Sequence, residues 1–255
     1  MKITMSSSTD SRVPIYQQLR DQFAKNISEG RWKTTEPIPP ETELARTLKV
    51  SLGTVRKGIQ MLVDDGLLIR YRGRGTFITR PAFRDSMYRS FRRSPRSEQG
   101  SAEGYEPDEG QTTSGRVIDR KVTLPPEQIR DILRLRTDQE AIQLVRISVS
   151  EGMPALFETI WLPFDRFEGL LEYDLADIVG LLYPIYEQCC GQLIASASET
   201  LMIDVATSED AELGLKVGDP VVELIRVAYD YASEPIEYRR SRGAAQGFSY
   251  KVEIR

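Results

Sequence analysis

Residues with chemical potential concentrate first in VSLGTVRKGIQMLVDDG, residues 50–66, whose apolar residues recur at the spacing of an amphipathic helix. The predicted inward face consists of Val55, Ile59, Leu62 and Val63. The predicted outward face consists of Gly53, Thr54, Lys57 and Gln60. Ser51 stands at the N-cap position and Gly66 just past the other end. A glycine on the outward face weakens the helix but lets its backbone approach a partner closely.

A basic stretch follows directly in LLIRYRGRGTFITRP, residues 67–81. We predict two short strands joined by a glycine and arginine turn and ended by Pro81. Arg72 and Arg74 supply positive charge in that turn, and Gly73 lets the backbone approach a phosphate group. The chemistry that these residues favour is binding of a polyanion.

Two earlier helices are predicted to position this third helix. VPIYQQLRDQFAKNISEG, residues 13–30, is amphipathic and ends at a glycine, and ETELARTLKV, residues 41–50, is a short helix. Their predicted inward residues are Tyr16, Leu19, Phe23, Ile27, Leu44, Ala45 and Leu48. The order helix, helix, turn, helix, hairpin is that of a winged helix-turn-helix, whose third helix enters the major groove of DNA.

The charge distribution supports the same interpretation. Residues 1–80 hold 14 Lys and Arg against 8 Asp and Glu, whereas residues 81–255 hold 20 against 30. The alternative is a small helical domain with a solvated charged face. A basic first third on an acidic body, with arginines in the hairpin turn, favours DNA over that alternative.

This region resembles the DNA-binding domain of GntR-type bacterial regulators, through PIYQQL, ELA, TVRK, DDGLL and GRGTF. Together with the outward Gly53, the resemblance implies DNA contacts from Ser51, Gly53, Thr54, Arg56, Lys57, Arg72, Gly73 and Arg74. Two positions depart from the family pattern. Thr42 follows the glutamate of IPPE where Arg or Lys is common, and Leu52 stands where Arg is usual.

Charged residues also interrupt apolar strands in the second half of the chain. If LVRISVSEGMPALFETIWLP forms a hairpin with a three-residue loop at 151–153, Arg146 lies opposite Glu158 on one face of a sheet. Glu199, Glu237 and Tyr238 add polar groups on other strands. One explanation is a structural ion pair, and the other is a set of polar anchors for a ligand.

The second half is predicted to be an α+β antiparallel sheet or barrel, residues 116–255, after a linker at 82–115 that is rich in Arg, Ser, Gly and Glu. The predicted strands are 116–123, 141–149, 155–162, 193–205, 220–230, 235–242 and 248–254. The predicted helical stretches are 125–134, 174–190 and 208–214. A winged helix-turn-helix at 10–81 precedes the linker.

This half resembles the UTRA effector-binding domain of HutC-subfamily GntR regulators, which is similar in fold to chorismate lyase. The resemblance implies a homodimer and a small, anionic effector near Ser90, Phe91, Arg146, Glu158, Glu199, Glu237, Tyr238 and Arg240. Ser148 replaces a second arginine that the family often has. RGAAQG, residues 242–247, replaces the usual YYRGD, although Arg240 and Arg242 could supply positive charge.

Composition narrows the function further. The chain has no histidine, and its two cysteines, Cys189 and Cys190, are adjacent, so we predict neither a metal nor a cofactor. No run of about 18 apolar residues and no signal peptide is evident, which favours the cytoplasm.

The sequence therefore predicts a DNA-binding repressor controlled by a small metabolite, with no catalytic residues. Two alternatives stay open. One is a regulator that binds DNA without effector control, and the other is an enzyme that uses the chorismate lyase-like domain.

Overall fold

The computed structural model describes residues 13–79, 114–150, 153–246 and 248. The chain divides into two compact units. The first unit comprises Met1–Pro81, Gly191–Ser196 and Tyr229–Glu234, and the second comprises the other residues. Most of the predicted linker and of the predicted strand at 248–254 lies outside the described residues. No helix in the described part of the chain is long and apolar enough to cross a membrane.

The first unit contains the predicted winged helix-turn-helix. Its elements within residues 13–79 are α1 (Ile15–Ser28), α2 (Glu41–Leu48), α3 (Leu52–Asp64), β1 (Leu68–Tyr71) and β2 (Gly75–Ile78). The two strands pair antiparallel, with Tyr71 opposite Gly75. The order and the approximate bounds of all five elements agree with the sequence prediction.

The predicted apolar faces form the core of this unit. The fully buried residues of the three helices include Leu19, Phe23, Ile27, Leu44, Val55, Ile59 and Leu62. Ala45 and Leu48 are also buried, and Val63 packs against the same core from a partly buried position. The helical spacing of apolar residues therefore identified the inward faces correctly.

The ends and the flank of α3 follow from single residues. Ser51 caps the helix, because its Oγ accepts a hydrogen bond from the backbone N–H of Thr54 at 3.1 Å. Gly66 adopts a left-handed φ of 72° just after the helix. A Cβ at Gly58 would lie 3.1 Å from the backbone oxygen of Tyr16, so this glycine allows α3 to pack closely on α1.

The second unit is built on a large sheet. Its strands are β3 (Ser114–Thr123), β4 (Ala141–Ser150), β5 (Met153–Pro163), β6 (Ser196–Val205), β7 (Pro220–Tyr229) and β8 (Pro235–Ala244). Its helices are α4 (Glu127–Ile132), α5 (Phe164–Phe167) and α6 (Leu182–Cys190). Short 3₁₀ segments lie at Glu168–Glu172, Leu175–Asp177 and Ser208–Leu213.

Among the described strands, the sheet has the order β3-β4-β5-β8-β7-β6. The β3–β4, β4–β5 and β5–β8 pairs are antiparallel, which confirms the predicted α+β antiparallel class. The predicted continuous helical stretch at 174–190 is wrong. It consists of a 3₁₀ turn and α6, separated by Gly180, which has a left-handed φ of 74°.

The β4–β5 hairpin places Arg146 opposite Glu158, as predicted, but by a different route. The strands run to Ser150 and begin again at Met153, so the loop is shorter than the three residues expected. The register then shifts between Ser148 and Val149. This bulge offsets the shorter loop and restores the predicted pairing.

Candidate functional site

The N-terminal end of α3 presents a polar, open surface. The hydroxyl oxygens of Ser51 and Thr54 lie 2.7 Å apart, so the side chains that cap the helix also define its tip. Gly53 is exposed, and a Cβ there would meet only Ser51 Oγ, at 3.9 Å. This surface can approach a partner without a side chain in between.

Arg56 leaves the same helix toward a carboxylate that sequence reasoning did not select. Its Nε donates to Glu41 Oε2 at 2.9 Å, and the Arg56 side chain is 64% exposed. Arg70 of β1 donates from Nη2 to Glu41 Oε1 at 3.1 Å and from Nη1 to Gln60 Oε1 at 2.6 Å. Glu41 therefore joins α2, α3 and β1 at this surface.

Lys57 and the hairpin turn add exposed cations. Lys57 Nζ lies 3.6 Å from the centroid of the Tyr16 ring, a cation–π contact that positions the ammonium group. Arg72 and Arg74 are exposed, and Gly73 between them has a left-handed φ of 73°. A side chain with a Cβ would be strained at that φ, so the turn depends on glycine.

The second unit contains a buried network of charges, which we call the Arg146 cluster. Its members are Arg146, Ser148, Glu158, Tyr183, Tyr186, Glu199, Arg226, Glu237, Arg239 and Ser241. At its centre the Arg146 guanidinium forms an ion pair with Glu158, and both residues are almost fully buried. Ser148 Oγ accepts from Arg146 at 2.9 Å and donates to Glu158 at 3.0 Å.

The backbone around Arg146 is shaped to accept its side chain. Arg146 Nη2 donates to the carbonyl oxygen of Gly180 at 2.6 Å. A Cβ at Gly115 on β3 would lie 1.8 Å from the same nitrogen, so only glycine leaves room for the guanidinium.

The network continues along β8. Glu158 Oε1 accepts from Ser241 Oγ at 3.1 Å and lies 3.6 Å from Arg239 Nη1. Arg239 Nη2 in turn donates to Glu237 Oε2 at 2.9 Å. Because these residues alternate along one strand, they lie on one face of the sheet.

Two tyrosines of α6 complete the surroundings of Glu237, which is fully buried. Tyr186 and Tyr183 donate from their hydroxyls to its carboxylate at 2.8 and 3.2 Å. Beyond them, Arg226 of β7 contacts the Tyr183 hydroxyl at 3.5 Å and pairs with Glu199 of β6. Four of the predicted effector residues, Arg146, Glu158, Glu199 and Glu237, therefore belong to one connected network.

The surroundings fix the charge states of these groups. Burial would raise the pKa of Glu158, but the charges of Arg146 and Arg239 and the Ser148 hydroxyl outweigh it and lower this pKa to about 2. Burial and then the charge of Glu237 raise the pKa of Tyr183 to about 12 and that of Tyr186 above its ordinary value. Glu158 is thus ionised and both tyrosines are protonated donors at neutral pH.

Tyr238 and Arg240 do not join this network, which corrects the prediction that they share its site. Tyr238 packs in an apolar cluster with Trp161 and Leu133, opposite Trp161 in the sheet register. Arg240 pairs with Glu223 at 2.7 Å on the same side as Tyr238. Odd and even residues of a strand face opposite sides, so Glu237 and Tyr238 cannot line one face.

Arg242, considered as a further source of positive charge, lies on the Arg240 side. Its Nε donates to Asp210 at 2.8 Å, and its Nη1 lies 2.8 Å from Asp204. It is fully buried and serves a separate ion-pair group.

The remaining predicted residues give less. Ser90 and Phe91 lie outside the described residues. Cys189 and Cys190 are free thiols whose sulfur atoms lie 3.2 Å apart. No group of His, Cys, Asp and Glu that could hold a metal ion occurs in the described ranges.

Comparison with known families decides the class of this protein. Residues 15–78 match the family described as bacterial regulatory proteins, gntR family, and residues 108–249 match the UTRA domain. The chain belongs to the GntR family of regulators, in the group that carries a UTRA domain. It is therefore a transcriptional regulator and not an enzyme.

This GntR-family regulator is similar over nearly its full length to curated repressors. It is 28% identical over 240 residues to the HTH-type transcriptional repressor NagR of Bacillus subtilis, covering 93% of each chain. It is 26% identical over 238 residues to the probable fructoselysine utilization operon transcriptional repressor of Escherichia coli, covering 90% of this chain and 91% of that one.

Solved structures support the fold of the regulator. PhnF from Mycobacterium smegmatis has a TM-score of 0.52 at 24% identity and covers 93% of this chain and 99% of its own. The effector domain of PhnF alone has a TM-score of 0.52 at 24% identity, with 57% of this chain and 89% of its own covered. At this level of identity the likeness concerns the fold alone.

The sequence interpretation of the regulator missed Glu41, Arg70, Gly115, Arg226 and Arg239. A signal for Arg239 was present in EYRRSRG, where Glu237, Arg239 and Ser241 alternate on one face of a strand. Glu41, Arg70 and Gly115 carried no such signal, because their roles depend on partners distant in the chain.

Proposed function

We propose that this regulator is a repressor that leaves its operator when a small anionic metabolite binds in the Arg146 cluster. The repressor assignment is supported by the names of its two curated relatives. Operator binding occurs where the chromosome is, so we place the protein in the cytoplasm. The rest of the proposal depends on the chemistry of the cluster.

The buried guanidinium of Arg146 carries the effector proposal. Its Nε, like that of Arg239, is a buried donor without a hydrogen-bond acceptor among the described residues. Buried donors are almost always paired, and a carboxylate or phosphate is the partner that suits a guanidinium fork. A ligand with such a group satisfies donors that the protein itself leaves unpaired.

The charge balance of the cluster suggests how binding acts. It contains three guanidinium groups and three carboxylates, which pair as Arg146–Glu158, Arg239–Glu237 and Arg226–Glu199. An added anion upsets this balance unless it separates a pair. We propose that the effector displaces Glu158 from Arg146 and so changes the β4–β5 hairpin. Ser90 and Phe91 remain proposed effector residues.

On the DNA side, we propose that the eight residues predicted from α3 and the hairpin turn contact a double-stranded operator. A single winged helix reads a short site, and dimers commonly read two half-sites about one helical turn apart. We therefore propose a homodimer. Static light scattering of the full chain measures this directly, and a monomer at tens of micromolar would contradict it.

A ligand screen followed by a DNA-release assay tests the proposal. Small carboxylates and phosphate esters are first screened by thermal shift, where a compound at 100 times its Kd adds about 2.7 kcal/mol to the free energy of unfolding. Fluorescence anisotropy with operator DNA then measures release. We expect Arg146→Ala to keep DNA binding and lose the release. Arg240→Ala, on the other face of the same sheet, is the matched control and keeps it.

A second candidate is a regulator that binds DNA without effector control. Ser148, where the family often has a second arginine, favours it, because this serine joins Arg146 to Glu158 in a closed ion pair. If no compound in the screen shifts the wild-type melting temperature while operator binding is tight, this candidate replaces the first. Unchanged release by Arg146→Ala would instead assign Arg146 a purely structural role.

A further inference from the structure

We infer that Glu41 is a positioning residue for operator specificity: it holds Arg56 so that its terminal amino groups face DNA. This inference rests on the proposed role of Arg56 as a DNA contact. It adds a carboxylate to a surface that must meet a polyanion, so its chemistry runs against simple charge attraction. The geometry around Glu41 explains why it is placed there.

Glu41 lies at the start of α2 and contacts one arginine through each carboxylate oxygen. Oε2 accepts from Arg56 Nε at 2.9 Å, and Oε1 accepts from Arg70 Nη2 at 3.1 Å. Arg70 is held in turn by Gln60, which donates to Asp64 at 2.7 Å. The arrangement fixes the direction of Arg56 from a side chain on another helix.

The mode of contact leaves the reading end of Arg56 available. Glu41 uses only the Nε of Arg56, and within residues 13–79 no group accepts from its Nη1 or Nη2. Those two amino groups form the fork that contacts O6 and N7 of guanine, or two phosphate oxygens. A carboxylate bound to the fork itself would block that use.

The charges are balanced in the same economical way. Glu41 and Arg70 neutralise each other, so the positive charge of Arg56 remains for DNA. Stability alone gives little reason for this carboxylate, because exposed ion pairs contribute little to folding, and the Arg56 and Arg70 side chains are 64% and 41% exposed. Orientation of Arg56 is the role that fits.

The neighbouring sequence increases the importance of this orientation. Thr42 and Leu52 are uncharged at two positions where related regulators commonly carry a cation. Arg56 is thus the main arginine available to base edges at this end of α3. Lys57, which rests on the Tyr16 ring, supplies a point charge without a bidentate fork.

The experiment compares specific with non-specific binding for Glu41→Gln. The probes are a duplex selected by the wild-type chain from a random-sequence pool and an unselected duplex of the same length, both titrated by fluorescence anisotropy. We expect affinity for the selected duplex to fall about tenfold, while affinity for the unselected duplex is unchanged or tighter. The ratio of the two affinities is the readout that a purely structural role would not move.

Glu43→Gln is the matched control, because it removes the same charge from an exposed residue two positions along α2. We expect it to change both affinities equally and to leave their ratio unchanged. If Glu41→Gln behaves in the same way, Glu41 acts only through its charge and the inference is wrong. Thermal unfolding of both variants confirms that each is folded.

Arg56→Lys separates this inference from the proposed function. A lysine keeps the charge but has no fork, so it should lower the same affinity ratio, and Glu41→Gln should add little to it. If Arg56→Lys leaves the ratio unchanged, the proposed role of Arg56 fails. If Arg56→Lys lowers the ratio and Glu41→Gln does not, only the role of Glu41 fails.

Discussion

Gly115 and Arg146 occupy neighbouring strands so closely that a Cβ on the glycine would lie 1.8 Å from Arg146 Nη2. The guanidinium therefore lies directly against the backbone of β3. Its other contacts, to Ser148, Glu158 and Gly180, hold it there. A single methyl group on β3 is thus predicted to change the site of the proposed effector.

Gly115→Ala should push the Arg146 guanidinium out of its position. The expected cost is about 1–3 kcal/mol in the free energy of unfolding, because the buried site cannot expand freely. Chemical denaturation monitored by circular dichroism measures it. DNA affinity without effector should be unchanged, whereas any effector found in the screen should bind more weakly. Stability equal to wild type would mean that the neighbouring strands adjust easily.

Gly53→Ala should have the opposite effect on stability, because its Cβ would meet only Ser51 Oγ at 3.9 Å. Replacing an exposed helical glycine by alanine should raise the free energy of unfolding by up to about 1 kcal/mol. If α3 approaches DNA through this glycine, operator affinity should nevertheless fall. A gel-shift titration tests this, and tighter or equal binding would remove Gly53 from the DNA contacts.

Arg56 and Lys57 are predicted to make ionic contacts with DNA. Replacing both by alanine should reduce the slope of log K against log salt concentration by about 2, since each phosphate contact contributes about 0.9. Anisotropy titrations across a salt series measure the slope. Arg31→Ala with Lys33→Ala provides a control of equal charge in the loop after α1. A slope unchanged by the α3 pair would contradict the assignment.

The ionised state of Glu158 predicts a pH dependence of stability. Its pKa is about 2 in the folded chain against an ordinary value of 4.5. A lowered folded pKa stabilises the fold above pH 4.5, and this contribution, about 3 kcal/mol, is lost as the pH falls toward 2. The measurement is the free energy of unfolding between pH 7 and pH 3.

Glu158→Gln isolates this contribution from those of other carboxylates. At pH 7 the variant should be several kcal/mol less stable, because Arg146 and Arg239 lose a buried partner. The difference from wild type should shrink as the pH falls. A difference that stays constant down to pH 3 would show that Glu158 is not the group that titrates.

Much of the DNA-binding unit was predictable because its determinants are local. The spacing of Leu19 and Phe23 and of Val55 and Ile59 defined the inward faces, and Ser51 and Gly66 defined the ends of α3. Local propensity and helical periodicity act within a few residues, so the sequence expresses them directly. The two-domain architecture was recognisable from motifs for the same reason.

The Arg146–Glu158 pair was predictable at intermediate range. A hairpin brings residues on either side of one turn together, and alternation places them on a common face. The loop length was nevertheless wrong, and a bulge between Ser148 and Val149 restored the register. A bulge depends on how the hairpin fits its neighbouring strands, which periodicity does not express.

The tertiary structure decided which residues share a site. Glu237 and Tyr238 are adjacent in sequence but lie on opposite faces of β8, and only the sheet order shows which face meets Arg146. Gly115 and Glu41 acquired their roles from Arg146 and Arg56, which are distant in sequence. The sequence by itself determined the elements and their likeness to known regulators. Contacts between distant residues, which folding alone creates, determined the geometry of both candidate sites.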